Sequence, residues 1–340
     1  MITFSIVLPV RNGWPYVKEC VESILQQTYP HFELIVLDNK STDNTMPWLK
    51  TLTDQRIRIH SSQASLSIVD SWARVKSVEK KEYMTTIGHD DTLDPDFLAV
   101  IKGLIERRPE SALYLTGARL INSEGEVIRS CRPTPREETA AQYLKARFTD
   151  ERDIFGTGYV MRSAEYDRVG GIPPFERLFF ADDALWLSLL SGSRKTADPT
   201  EHFSVRIHPN SESASLPSSW SSNLVGLNQF AEFLDAYLPN DSEARKVAAE
   251  YKDQFMLDRH RSMFMYALIE ASQQRRKIKP ADADRIEGSL ARNAPSVASA
   301  LRQSPTVAAI AMLNSSPLRA SVPILWQAYN RLKSREMFKS

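Results

Sequence analysis

Short apolar runs alternate with helical periodicity along the first hundred residues of the chain. Continuous apolar and β-branched runs at residues 4–10, 32–37 and 83–87 are typical of strands buried on both faces of a sheet. Between the first two runs, apolar side chains recur at helical spacing, at Val17, Val21, Ile24 and Leu25. This order predicts a parallel sheet with helices on both faces, because crossover helices connect parallel strands.

The next hundred residues predict further strands. Residues 112–121 and 126–130 read as a hairpin around a Glu-Gly turn. Residues 155–162 predict a strand whose two glycines would hold the backbone close to a ligand. Residues 202–209 alternate as a strand that ends in a histidine, His208.

From residue 218 onward the apolar periodicity is helical. We therefore expect an α/β domain over residues 1–215 and a helical C-terminal region over residues 216–340. An apolar segment at residues 307–313 precedes a basic end that contains Arg331, Lys333, Arg335 and Lys339. This end predicts either a packed helix with a solvated basic tail or a peripheral contact with a membrane surface.

Composition narrows the class of protein. The 340 residues carry a net charge of +1, so nothing favours nucleic acid as a partner. No apolar run approaches the ~20 residues that span a bilayer, and the N-terminus lacks a signal-peptide pattern. The two cysteines, Cys20 and Cys131, lie far apart and suggest a reducing compartment. We expect a cytoplasmic protein.

Two adjacent acids follow the third apolar run. Asp90 and Asp91 fall at the carboxyl end of a parallel strand, where open α/β sheets bind ligands. Adjacent carboxylates repel each other unless a cation or a proton lies between them. The pair predicts a site for a hard divalent cation, with a solvated Asp-rich turn as the alternative. Asp94 and Pro95 then predict a helix start, with Asp94 as the cap.

A second acid pair, Asp182 and Asp183, opens an apolar helix. Acids in a first helical turn can simply complement the helix dipole. This pair is flanked by aromatic residues and precedes a buried face, which favours a functional role. Trp186 in the same helix either packs in the core or stacks on a sugar.

Nucleotide motifs of the common kinds are absent from the sequence. No GxGxxG follows the first strand and no GxxxxGK[ST] occurs, which argues against dinucleotide oxidoreductases and P-loop enzymes. Any ligand at this sheet is therefore expected to bind through carboxylates.

Together these segments resemble the family 2 glycosyltransferases, which are inverting enzymes with the GT-A fold. The resemblance covers residues 3–212 and rests on four segments: FSIVLPVRNGWPYVKECVESILQQTYPHFELIVLDNKSTDNT, GHDD, FFADDALWLSLL and VRIHPNSES. It implies a Rossmann-like, mostly parallel sheet of the nucleotide-diphospho-sugar transferase type. It also implies a nucleotide-sugar-binding half at about residues 1–98 and an acceptor-binding half at about residues 99–215.

The resemblance assigns nucleotide contacts to four residues. Asp38 matches the acid that accepts a hydrogen bond from the nucleobase. Pro9 and Arg11 match positions whose side chains usually enclose the base. Asp90 matches a contact to the ribose or the metal. The donor is expected to be a UDP-, dTDP- or GDP-sugar.

The resemblance also implies a bound cation. Asp91 matches the direct metal ligand, Asp90 its neighbour and His208 a further metal contact, although His208 could instead be a surface histidine at a strand end. Carboxylate ligands suit Mn²⁺ or Mg²⁺, and an added imidazole favours Mn²⁺.

For catalysis, Asp183 matches the general base, with Asp182 standing where Glu is commoner. Two departures from the family pattern are Gly88, where relatives often have the first Asp of the metal motif, and Asn39, where a second Asp is frequent. The QxxRW motif of processive polymerases is absent, which favours transfer of a single sugar.

The expected function is metal-assisted transfer of one sugar to a saccharide or lipid-linked saccharide acceptor of a bacterial surface polysaccharide. Two alternatives stay open at this point. A nucleotidyltransferase acting on a sugar phosphate would need a Gly-rich basic loop near the N-terminus. Residues 11–13 resemble such a loop only weakly. A non-catalytic nucleotide-sugar-binding module would fit Gly88 and Asn39.

Overall fold

The computed structural model describes residues 1–209 and 219–326. The chain divides into two compact units, Met1–His208 and Pro209–Ser340. The basic end at residues 331–339 lies outside the described residues, so its contact with a membrane surface stays a prediction. Among the helices that the structure describes, none is long and apolar enough to cross a bilayer.

The first unit contains one sheet of ten strands in the order β3-β2-β1-β4-β9-β6-β10-β5, with β7 beside β6 and β8 beside β10. The strands are β1 (Phe4–Val10), β2 (Phe32–Asp38), β3 (Ile57–Ile59), β4 (Tyr83–Thr86), β5 (Thr92–Leu93), β6 (Leu113–Ile121), β7 (Val127–Ser130), β8 (Glu137–Thr139), β9 (Val160–Arg162) and β10 (Arg194–Arg206).

Helices cover this sheet. They are α1 (Tyr16–Leu25), α2 (Thr45–Leu49), α3 (Ile68–Ser77), α4 (Phe97–Arg107), α5 (Ala140–Thr149), α6 (Ser163–Arg168) and α7 (Ala181–Leu190). Strands β1 and β2 are buried along their whole length, as their continuous apolar runs predict. Strands β3, β2, β1 and β4 pair in parallel. The predicted α/β fold with its parallel half and the hairpin β6–β7 are confirmed.

Three local predictions are wrong. Asp94 does not cap α4, because its carboxylate pairs with the guanidinium of Arg119 and the helix begins three residues later at Phe97. The glycine-containing segment at residues 155–159 is a loop, and only Val160–Arg162 pairs as a strand. The last strand begins at Arg194 and ends at Arg206, before His208.

The described part of the second unit is helical, as its periodicity predicts. Its α-helices are α8 (Trp220–Tyr237), α9 (Ser242–Gln273), α10 (Pro280–Asn293) and α11 (Pro305–Ser315). Buried residues of α9 form much of its core, and they include Phe255, Leu257, Phe264 and Leu268.

Candidate functional site

The carboxyl ends of β1 and β2 position Asp38. Val10 and Asp38 are partners in the parallel register, so Pro9 and Arg11 flank the same sheet edge. Asp38 is buried, and its Oδ1 accepts the Ser41 N–H at 3.1 Å. These contacts hold one carboxylate at the sheet edge where the nucleobase contact was predicted.

Asn39 has a structural reason to differ from the frequent Asp. Its Nδ2 donates to the Leu66 carbonyl at 3.0 Å, and its Oδ1 accepts the Leu66 N–H at 2.8 Å. An Asp at this position could accept but could not donate. The side chain therefore fixes the loop before α3.

The first acid pair lies at the end of β4. Asp91 is buried, and its Oδ1 accepts the backbone N–H of Arg206 at 3.1 Å while its Oδ2 accepts the Thr157 hydroxyl at 3.2 Å. Asp90 Oδ2 lies 2.9 Å from His208 Nε2. The structure thus brings together Asp90, Asp91 and His208, which sequence reasoning grouped as one site.

Burial and the neighbouring charge of Asp90 raise the pKa of Asp91 to about 8. A raised pKa means that the surrounding protein groups do not stabilise the negative charge of this carboxylate enough to offset its burial. A bound cation would supply that compensation.

Gly88 leaves space between the two acids. A Cβ placed on Gly88 would lie 2.8 Å from Asp90 Oδ1 and 2.9 Å from Asp91 Oδ2. Real Cβ atoms essentially never approach other atoms so closely. The missing side chain therefore belongs to the geometry of the pair, and an Asp at this position would displace both carboxylates.

The residues fit a hard divalent cation by their chemistry. Two carboxylate oxygens converge above Gly88, and an imidazole adjoins one of the acids. Within residues 1–209 and 219–326, however, no three His, Cys, Asp or Glu side chains form a group that could hold a metal ion by themselves. Mg²⁺ sites commonly take remaining ligands from substrate phosphates and water, so ligation by Asp90, Asp91 and His208 stays a prediction.

Arg206 is a functional candidate that sequence reasoning missed. Its side chain is fully buried, and its Nε donates to the Asp90 carbonyl at 2.9 Å. Its Nη1 donates to the carbonyls of Asn122 and Ser123, and its Nη2 pairs with Glu19 Oε2 at 2.5 Å. One guanidinium therefore joins α1, the β6–β7 turn and the acid pair. The sequence signal for this role is weak: Arg206 is a charged residue near the end of a strand that the pattern predicts to be buried.

Tyr16 extends this set of contacts. The Arg206 guanidinium lies 4.9 Å from the Tyr16 ring centroid. On the other side, the rings of Tyr16 and His208 lie 4.7 Å apart, centroid to centroid. Tyr16 thus supports the imidazole that contacts Asp90.

The second acid pair divides into two different environments. Asp183 is 0% exposed, and its Oδ1 accepts the Tyr143 hydroxyl and the Arg147 Nε–H, both at 2.6 Å. The second oxygen pairs with another N–H of the same guanidinium. Both donors lie on α5. Asp183 is therefore fixed in a buried ion pair that sequence reasoning did not foresee.

Asp182 faces the loop at residues 155–159. Its Oδ2 would lie 3.3 Å from a Cβ placed on Gly156, so the absence of a side chain there leaves room beside the carboxylate. Burial and the charge of Asp183 raise the pKa of Asp182 to about 7. A carboxyl group with this pKa can both hold and release a proton near neutrality.

Trp186 belongs to the core. It is 1% exposed, its ring stacks on Tyr159 with centroids 4.4 Å apart, and its Nε1–H donates to the Phe155 carbonyl at 3.4 Å. These contacts fix the loop at residues 155–159 against α7. The sugar-stacking alternative for Trp186 does not fit this burial.

Comparison with known proteins shows which family part of the chain is similar to. The sequence model of Glycosyl transferase family 2 matches residues 5–162, which span β1 to β9 and include the first acid pair. The match covers 158 of the 340 residues, and over this stretch the chain is similar to glycosyltransferase family 2.

Among curated relatives, the putative teichuronic acid biosynthesis glycosyltransferase TuaG of Bacillus subtilis is 29% identical over 55% of this chain and 71% of its own length. Glycosyltransferase GlyG of Streptococcus pneumoniae is 30% identical over 31% of this chain, and the match spans only 35% of GlyG. Among solved structures, S. aureus TarS 1–349 in complex with UDP-GlcNAc covers 96% of this chain and 92% of its own, with a TM-score of 0.63 and 16% identity. This likeness shows the shared fold.

Proposed function

We propose that the protein transfers a single sugar from a nucleotide-diphosphate sugar to a hydroxyl of a saccharide or lipid-linked saccharide, with inversion at the anomeric carbon. One observation carries the proposal: the loop at residues 155–157 joins the two acidic clusters. Thr157 donates to Asp91 at 3.2 Å, and Gly156 lies against Asp182. The donor's diphosphate and the acceptor's hydroxyl would meet between these acids.

The donor side follows from the sheet edge. Asp38 would accept an N–H of the nucleobase, with Pro9 and Arg11 beside it, and Asp90 would contact the ribose. The match of residues 5–162 to the family 2 model and a TarS structure that holds UDP-GlcNAc support a nucleotide-sugar donor. The same match favours glycosyl transfer over the nucleotidyltransferase alternative.

Asp91, Asp90 and His208 would hold Mn²⁺ or Mg²⁺. When bound, the cation supplies positive charge that stabilises the departing nucleotide diphosphate. Arg206 holds both acids in place. Its side chain donates to the Asp90 carbonyl, and its backbone N–H donates to the Asp91 carboxylate. Pre-positioned groups of this kind stabilise developing charge without reorganisation during the reaction.

We assign the general base to Asp182, although the family pattern points to Asp183. A base must have an oxygen free to take the proton of the acceptor hydroxyl. Both oxygens of Asp183 already accept hydrogen bonds from Tyr143 and Arg147. Asp182 lies beside the space above Gly156, and its pKa of about 7 suits proton transfer at neutral pH. Asp183 would fix the start of α7 and so aim Asp182.

The test compares Asp182→Asn with Asp183→Asn. Nucleotide release from UDP-, dTDP- and GDP-sugars is measured with Mn²⁺, after a nucleotide thermal-shift assay has identified the carrier. Asp182→Asn should lose about 10²–10⁴-fold in rate, as removal of a general base does, and should keep its melting temperature.

Asp183→Asn leaves a buried guanidinium without its counter-charge, which costs about 3–5 kcal/mol of stability. Because this variant can unfold, Tyr143→Phe serves as a milder one: it removes one hydrogen bond to a carboxylate, worth about 1.5–3 kcal/mol, and should lose less than tenfold in rate. A folded, inactive Asp183→Asn beside an active Asp182→Asn would reverse the assignment. If no nucleotide stabilises the wild type with any metal, the donor site itself is wrong.

A further inference from the structure

A cavity of about 230 Å³ lies in the first unit between β6, the bulged middle of β10 and the loop at residues 155–159. Phe155 and Thr157 both line it. Thr157 also donates to Asp91, and a Cβ placed on the neighbouring Gly156 would lie 3.3 Å from Asp182 Oδ2. The cavity therefore adjoins the two acidic clusters between which the reaction is proposed to occur.

The size of the cavity limits its occupant. Sites for drug-sized ligands start at about 300 Å³, and this cavity is smaller. A single sugar ring fits that space better than an oligosaccharide or a lipid chain.

The positive charges at the cavity wall are already compensated. Arg152 pairs with Glu138, which also binds Lys195 Nζ at 2.5 Å. The adjacent Asp153 accepts from the Arg129 guanidinium at 2.8 Å and from the Arg132 backbone N–H at 2.8 Å. Among the described residues that line the cavity, both arginines, Arg132 and Arg152, therefore have a carboxylate partner and are not available to attract an anionic ligand.

Glu201 differs from its neighbours. It lines the cavity and is half-buried, yet its carboxylate makes no hydrogen bond or ion pair with any residue in the described ranges. A carboxylate is an acceptor only, so it binds groups that donate hydrogen bonds and repels anions. Sugar hydroxyls are donors of this kind.

Aromatic side chains complete the wall. Phe155, Tyr159 and Phe203 line the cavity, and Tyr159 is held by its stack on Trp186. Ligand sites typically combine such an apolar lining with a few placed polar groups. A sugar ring presents C–H groups to aromatic rings and hydroxyls to carboxylates.

We propose that this cavity binds one neutral sugar ring of the acceptor, with Glu201 accepting hydrogen bonds from its hydroxyls. The inference rests on the proposed function and specifies its acceptor. A ring that carries a phosphate or a carboxylate is disfavoured, because Glu201 would repel it and Arg132 and Arg152 already have partners.

The test uses the full chain with Mg²⁺ and the nucleoside diphosphate that the thermal-shift assay identifies, and it measures binding by saturation-transfer and titration NMR. Neutral probes are the methyl glycosides of glucose, galactose, mannose and N-acetylglucosamine, and the anionic probes are glucose 6-phosphate and glucuronate. We expect at least one neutral probe to bind and the anionic probes to bind more weakly.

Two variants locate the binding. Glu201→Gln should weaken the Kd about tenfold, in line with loss of a hydrogen bond to a charged group. Ala118→Leu should abolish binding, because Ala118 lines the cavity and added carbons would fill it. Glu124→Gln, at an exposed position of the β6–β7 turn, is the matched control and should bind as the wild type does.

The inference fails if no neutral probe binds, if an anionic probe binds better, or if both cavity variants bind unchanged. Hydrolysis of the nucleotide sugar by the wild type is measured in parallel. Hydrolysis without any of the expected sugar binding overturns the acceptor cavity alone, whereas absence of nucleotide binding and hydrolysis overturns the proposed function.

Discussion

The Nη2 of Arg206 lies 2.5 Å from Glu19 Oε2, although the Arg206 side chain is 0% exposed and that of Glu19 is 53% exposed. The pair thus connects a carboxylate at the surface of α1 to a guanidinium that also holds the Asp90 carbonyl. An exposed ion pair by itself contributes little, about 0–1 kcal/mol. Removing the partner of a buried charge costs more, because the charge stays buried.

Glu19→Gln is therefore expected to lower the free energy of unfolding by about 1–3 kcal/mol and to weaken metal-dependent nucleotide binding. Glu22→Gln is the matched control, since Glu22 lies on the same helix and its carboxylate pairs with exposed Lys18. Denaturant unfolding and nucleotide thermal shifts with Mn²⁺ measure both effects. Equal behaviour of the two variants would contradict the role given to Arg206.

Gly88→Ala should disturb the acid pair directly. The new Cβ would meet Asp90 Oδ1 at 2.8 Å and Asp91 Oδ2 at 2.9 Å, so both carboxylates must move. We expect the metal-dependent part of nucleotide stabilisation to be lost. Gly103→Ala, in the interior of α4, is the control and should stabilise the protein by up to about 1 kcal/mol. Isothermal titration with nucleotide, with and without Mn²⁺, would show whether Gly88→Ala instead binds normally.

The pH dependence of the rate should report Asp182. Its pKa of about 7 is raised by burial and by the charge of Asp183. A general base works deprotonated, so kcat/KM for donor hydrolysis should rise with pH through about 7. Tyr143→Phe keeps both charges and should leave the midpoint nearly unchanged, whereas a folded Asp183→Asn should move it to lower pH. Nucleotide binding is measured at each pH, so that loss of donor affinity is not mistaken for loss of the base.

His260 should make the second unit sensitive to acid. It is fully buried, with Nδ1 2.7 Å from the Met256 carbonyl and Nε2 2.8 Å from Ser289 Oγ. Burial lowers the pKa of His260 to about 4. The unfolded value is about 6.5, so the folded state disfavours protonation.

Stability should accordingly be unaffected by His260 above about pH 6.5 and fall progressively towards pH 4, by up to about 3 kcal/mol. Urea unfolding between pH 4 and 7 measures this slope. His260→Gln should flatten it, and His60→Gln, at an exposed residue, should not. A slope that is the same in all three proteins would exclude His260 as its source.

The sequence by itself determined the sheet and the place of the first site. Buried strands need continuous apolar runs, and parallel strands need crossover helices, so β1, β2 and β4 could be located without coordinates. Asp38 ends β2 and Asp90 lies four residues after β4, and the carboxyl ends of parallel strands share one edge. The predicted helix start at Asp94 was wrong, because Asp94 pairs with Arg119 instead of capping the helix. The predicted long strand at residues 155–162 was wrong, because Trp186 holds residues 155–159 as a loop.

Tertiary structure alone decided which residues support that site. Arg206 meets Asp90 across 116 positions of sequence, and no local pattern encodes such a contact. The choice between Asp182 and Asp183 is similar. Consecutive residues of a helix point about 100° apart, so only the packing of α7 on α5 decides which acid is buried against Arg147 and which one faces Gly156.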